Sequence, residues 1–129
     1  MGRIALIDDH ADSLELFTLI LTGDHEIVPF IDGERFLKEF FPGSFDLILM
    51  DIAMPSLDGF ELFRRIQKDD PDVPVVAVTA MAEPQQKERA LKAGFCDYFV
   101  KPILEIDRFR QAVHSHVGRC SNPRYKGSA

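Results

Sequence analysis

Five short apolar runs punctuate the chain: Ile4 to Ile7, Ile27 to Ile31, Phe45 to Met50, Val73 to Val78 and Tyr98 to Val100. Longer stretches between and after them carry apolar residues at helical spacing. Ile106, Phe109, Val113 and Val117 fall at i, i+3, i+7 and i+11, with Glu105, Asp107, Arg108 and Arg110 on the other face, the pattern of a helix docked by one stripe. Leu14, Phe17 and Leu21 repeat the theme in a first helix, Phe36, Leu37 and Phe40 in a second, and Phe63 and Ile66 in a third. Strands alternating with helices predict a parallel sheet with right-handed crossovers. Four of the runs are nearly continuous in apolar residues, as strands covered on both faces require. The second run, EIVPF, contains Pro29, which has no N–H to give a central ladder and belongs on an edge strand. The expected fold is α/β, a doubly wound five-stranded parallel sheet of order 2-1-3-4-5 with helices on both faces.

The polar residues that end these strands form a set. Strand one ends in Asp8-Asp9, strand three in Asp51, strand four in Thr79 and strand five in Lys101-Pro102. Open sheets bind ligands beyond the carboxyl ends of their strands, at the point where strand order reverses, here between strands one and three. Three carboxylates converging in that crevice repel one another, so a cation is expected among them. All-oxygen ligands suit Mg²⁺, which takes one or two carboxylates and keeps waters that a phosphate can replace. Lys101 adds a positive charge and Thr79 a hydroxyl, the equipment for holding phosphoryl oxygens. In LILMDIAMPSLDGFELF, Asp51 therefore reads as a nucleophile whose product is an acyl phosphate. Singly, Asp8-Asp9 or Thr79 reads as a helix cap and Lys101-Pro102 as an ordinary strand exit; their position at one sheet edge is what joins them. His10 invites a transition-metal reading but is read as a loop or first-turn residue. His25, His114 and His116 are read as surface positions, and no histidine is assigned catalysis.

Composition narrows the setting. With 129 residues, 46% of them apolar, one domain with one core is expected. Most of the eleven phenylalanines are assigned to that core. The net charge of −6 divides into three positive charges on 118–129 (Arg119, Arg124, Lys126) and −9 on the rest, which argues against nucleic-acid binding by the domain. No stretch approaches the ~18 apolar residues of a membrane span, and Met1-Gly2-Arg3 leads into the first strand without a signal-peptide pattern. A cytoplasmic protein with no membrane association is expected. Cys96 and Cys120 are read as two reduced thiols.

The segments ALIDDH, LILMDIAMPSLDGFEL, VPVVAVTA and AGFCDYFVKP, in this order and spacing, resemble the receiver domain of two-component response regulators, a chemotaxis-receiver-like domain. The resemblance runs from Arg3 to Val117. It implies a flavodoxin-like (βα)5 receiver over 1–117, with 118–129 a disordered tail, a linker stub or an expression remnant. It implies that Asp51 accepts the phosphoryl group and that Asp8 and Asp9 hold Mg²⁺ with Asp51 and the main-chain carbonyl of Ala53. Thr79 and Lys101 would contact the phosphoryl oxygens, Tyr98 would be the aromatic switch, and the peptide before Pro102 would be cis. The implied donor is a sensor histidine kinase or a histidine phosphotransfer protein. The implied effector binds the face made by the fourth helix, fifth strand and fifth helix. Such a domain is a phosphorylation-controlled signalling switch and not an enzyme in the ordinary sense, although it promotes its own phosphorylation and dephosphorylation.

Gly94-Phe95-Cys96-Asp97 departs from the family's usual Gly-Ala by placing a bulky ring before strand five. Three other readings share parts of this pattern. An aspartyl-nucleophile phosphatase wants a second aspartate two residues after the nucleophile, where this chain has Ala53. A flavin module needs a Ser/Thr/Gly-rich loop after strand one, where it has Asp8-Asp9-His10-Ala11-Asp12. A phosphate-independent interaction domain would usually lack one of the five site residues, and all are present.

Overall fold

Each apolar run becomes a strand and each amphipathic stretch a helix. The computed structural model describes residues 2–55 and 58–119. Along them run β1 (Arg3–Ile7), α1 (Ala11–Leu21), β2 (Glu26–Phe30), α2 (Gly33–Glu39), β3 (Leu47–Met50), α3 (Gly59–Asp69), β4 (Val75–Thr79), α4 (Pro84–Ala93), β5 (Asp97–Val100) and α5 (Ile106–His116). The strands form one parallel sheet in the order β2-β1-β3-β4-β5. Pro29 lies opposite Leu6 on the edge strand β2, where a missing N–H costs no ladder bond.

Side chains of a strand alternate between faces, and here each face has its own core. Leu47 and Leu49 of β3 join Ile4, Leu6, Phe17, Leu21, Phe109 and Val113 under α1 and α5. Ile48 and Met50 join Ile7, Phe36, Phe63, Ile66 and Phe95 on the opposite side. All residues of β3 and β4 are buried, which is why their sequences are continuous in apolar residues.

Local chemistry sets the helix starts that follow the strands. Asp32 caps α2 by accepting from the Arg35 N–H at 2.6 Å, and Asp58 caps α3 by accepting from the Phe60 N–H at 2.9 Å, satisfying donors that no helical carbonyl reaches. Gly59 follows because a Cβ there would stand 2.5 Å from the Ile52 Cα. Gly94 ends α4 at φ +121°, a conformation side chains disfavour.

Several expectations change. Ile106 is exposed at the first position of α5, so the buried stripe runs Phe109, Val113, His116. His25 and His116 are buried, not surface positions. The Gly2 N–H donates to His25 Nδ1 at 3.0 Å, and His25 Nε2 lies 3.4 Å from Nδ1 of the exposed His114. His116 Nε2 lies 2.9 Å from Asp97 Oδ2. Burial works against the Asp97 carboxylate, but its bonds with His116 and the Tyr98 N–H outweigh this and hold it below the usual carboxylate range. These histidines gather where the end of α5 returns to the start of the sheet, a proximity without periodic signature in sequence. Cys96 is disulfide-bonded, against the expected reduced thiol, and it too sits at this end of the sheet, just before β5. Cys120 and the rest of the expected tail from there on lie outside the described residues, as does the Ser56-Leu57 pair. Among the described residues no helix is long and apolar enough to cross a membrane.

Candidate functional site

The parallel ladder extends one residue past the strands and so aligns their polar ends. Asp51 N donates to Ile7 O at 2.9 Å, Asp8 N to Phe30 O at 3.1 Å and Lys101 N to Thr79 O at 2.8 Å. Asp8, Asp51 and Thr79 are buried at 2%, 3% and 0% exposure. Such carboxylates need partners. Lys101 Nζ supplies one, 2.8 Å from Asp8 Oδ2 and 3.1 Å from Asp51 Oδ2. Burial alone would lower its pKa, but the hydrogen bonds and charges of Asp8 and Asp51 prevail and raise it, keeping the ammonium charged. The cation anticipated among the acids is thus in part a side chain of the protein. The Lys101–Pro102 peptide that follows β5 is cis.

The remaining carboxylate oxygens are distributed differently. Asp51 Oδ1 accepts from the Ala53 N–H at 2.8 Å, and Asp8 Oδ1 accepts from the His10 N–H at 2.9 Å. Asp9 is partly exposed, yet its Oδ1 is buried and receives no hydrogen bond. Asp8, Asp9, Asp51 and His10 each offer a ligand atom, all within 4.8 Å of one another. An unsatisfied carboxylate oxygen in a cluster dominated by oxygen donors fits a hard divalent ion such as Mg²⁺.

Thr79 and Tyr98 meet at one residue. The Met81 N–H donates to Thr79 Oγ1 at 3.3 Å, and the Tyr98 hydroxyl donates to the Met81 carbonyl at 2.7 Å. Tyr98 is 5% exposed, so its ring already stands inward. Burial, then the charges of Glu83 and Asp51, raise its phenol above the ordinary tyrosine value. All the side chains selected from sequence thus lie at one end of the sheet. Two participants were missed: Ser13, whose Oγ lies 3.5 Å from Lys101 Nζ, and the Met81 main chain. Ser13 was findable as a hydroxyl in the first turn after the acid pair. A main-chain partner leaves no mark in sequence.

Comparison with known proteins gives the same assignment. Residues 4–114 match the response regulator receiver domain family. The chain is 37% identical over 116 residues to the gliding motility regulatory protein of Myxococcus xanthus, covering 86% of this chain and 15% of that protein. It is 39% identical over 106 residues to the signal transduction histidine-protein kinase BarA of Escherichia coli K12, covering 79% of this chain and 11% of that one. It therefore spans a small part of the length of these relatives. The crystal structure of the response regulator TrrA from Thermotoga maritima, in complex with Mg²⁺-BeF, superposes with a TM-score of 0.79 at 30% identity, covering 91% of this chain and all of that one. From the strand order, the matched length and these likenesses together, the chain belongs to the response regulator receiver domains, which are phosphorylated on an aspartate in two-component signalling.

Proposed function

We propose that Asp51 is the phosphoacceptor of this receiver and that the domain, residues 1–117, supplies the chemistry of its own phosphorylation and dephosphorylation. The observation that carries the reading is the buried Asp51 carboxylate at the sheet's switch point, sharing one ammonium with Asp8. A carboxylate oxygen of Asp51 attacks phosphorus in line, a P–O bond forms, and the P–N bond to the donor imidazole, or the P–O bond of a small phosphodonor, breaks. The Ala53 N–H orients Asp51 through Oδ1. Lys101, already within reach of Asp51, meets the phosphoryl oxygens, and the Thr79 hydroxyl turns to them. Asp8, Asp9, Asp51 and the Ala53 carbonyl would hold Mg²⁺, which supplies charge neutralisation at the phosphoryl group.

Thr79 and Tyr98 grip the amide and carbonyl of the same residue, Met81. Drawing the Thr79 hydroxyl toward a phosphoryl group releases the Met81 N–H, and the inward Tyr98 ring then closes on the space Thr79 leaves. This shifts a two-state population on the face of α4, β5 and α5. A groove of about 670 Å³ on β5 and α5, lined by Phe99, Val100, Ile103, Leu104 and Phe109 among others, gives that face the apolar surface an effector would cover. The donor is a sensor histidine kinase or histidine phosphotransfer protein, the setting is cytoplasmic, and the acidic body binds no nucleic acid. Intact mass before and after incubation with acetyl phosphate and Mg²⁺ tests the assignment. One phosphoryl group is gained by the wild type and none by Asp51→Asn; a label retained in that variant, or no gain at all, overturns it.

A further inference from the structure

His10 follows the acid pair and stands at the N-terminal boundary of α1. The side chains that usually occupy that position bond a free N–H of the first turn. His10 makes no such bond. Its ring turns back instead, with Nδ1 3.1 Å from Asp8 Oδ1 and 3.0 Å from Asp9 Oδ1. The second of these oxygens takes no hydrogen bond. Neighbouring ligands on an octahedral ion with bonds of ~2.1 Å are separated by roughly 3.0 Å, so both spacings match edges of one coordination shell. The ring is largely exposed and its Nδ1 stands at hydrogen-bond distance from Asp8 Oδ1; with the proton moved to Nε2, which water can solvate, the Nδ1 lone pair becomes available to an ion held between the acids.

An all-oxygen site favours hard ions. One imidazole nitrogen changes that order, because first-row divalent ions gain affinity toward the end of the series and bind imidazole well. We infer that His10 is a metal-selecting ligand: it tilts the site of Asp8, Asp9 and Asp51 away from Mg²⁺ and toward Co²⁺, Ni²⁺ or Zn²⁺. This rests on the proposed metal site. It adds that the ion bound there depends on which divalent cations surround the protein, and that a nitrogen-seeking ion competes with Mg²⁺ for the place beside Asp51.

The test is direct binding on untagged protein at pH 8, by calorimetry with Mg²⁺ and with Ni²⁺, and by displacement of one by the other. The variants are His10→Ala, His10→Asn, His114→Ala and Asp51→Asn, each checked for fold by circular dichroism. Wild type is expected to bind Ni²⁺ more tightly than Mg²⁺, one displacing the other. Both His10 variants should weaken Ni²⁺ by at least about tenfold while Mg²⁺ stays within about threefold, and His114→Ala should change neither. An unchanged Ni²⁺ to Mg²⁺ ratio in both His10 variants overturns the inference and leaves the Mg²⁺ site standing. Equal losses for both ions overturn it as well, as does Ni²⁺ binding that survives in Asp51→Asn without Mg²⁺ competition. A wild type that binds no Mg²⁺ brings down the underlying site assignment instead.

Discussion

At Ala53 and Met81 the chain offers a methyl group and a thioether beside the carboxylate proposed to carry the phosphoryl group. Hydrolysis of an acyl phosphate needs a water in line with the bond that breaks, and side chains that hydrogen-bond this water hold it in place. Neither residue offers a useful donor or acceptor in its side chain, and Met81 packs against the core through that side chain. The expected outcome is a long-lived phosphorylated state, reset by reverse transfer or by an external phosphatase. Replacing Ala53 with Asn and Met81 with Glu is expected to speed loss of phosphate after the donor is removed, followed by intact mass. An unchanged or slower decay in the double variant would sink the proposal. At this scale much was legible in sequence. Asp8, Asp9, Asp51, Thr79 and Lys101 stand out because each interrupts an apolar run where a strand ends. What was not legible is direction: that Lys101 spans Asp8 and Asp51, and that Thr79 and Tyr98 share Met81, depends on contacts across strands.

Between elements, the ring at Phe95 is the clearest departure from the family's pattern and has a structural role. It is fully buried, stacked on Phe63 of α3 at 4.2 Å between centroids and edge-on to Phe60 at 5.7 Å. Phe60 in turn carries the Arg89 guanidinium of α4 over its face at 3.9 Å. The turn from α4 into β5 is thereby fastened to α3. Phe95→Ala is expected to cost about 3–5 kcal/mol, the usual loss for a buried phenylalanine, read as a lower urea midpoint with an unchanged slope. A cost under about 1 kcal/mol would show the ring to be dispensable. The strands and their order were readable because period and proline placement are local signals. The helix partners were not, since a phenylalanine spacing shows which residues turn inward but not which rings they meet. The same limit hid His25 and His116, whose burial comes from contacts between α5, β5 and the turn before β2.

Across the whole molecule, Asp8, Asp9, Asp51 and Lys101 collect with His10 at one end of the sheet and His25, His114 and His116 at the other, which gives the fold a pH response remote from its chemistry. Burial, then the charges of His114 and the amino terminus, hold His25 below the ordinary histidine value, with Asp24 and Asp46 acting in the opposite sense. Above about pH 6.5 the ring is neutral in folded and unfolded chains alike. As pH falls through that value the unfolded chain takes up a proton that the folded one resists, so stability declines with acidification. His25→Asn keeps an acceptor for the Gly2 N–H and removes the titration. Its melting temperature should fall less than that of wild type between pH 7.5 and 5.5, and an equal fall would count against the assignment. The inward Tyr98 has a consequence of another kind. The chain has no tryptophan and two tyrosines, so one of its two phenol chromophores is the group that bonds the Met81 carbonyl. Its raised pKa separates it from an exposed phenol in an alkaline absorbance titration. Any rearrangement at Met81 that loosens the Tyr98 hydroxyl will register as an ultraviolet difference spectrum, without any label added to the protein.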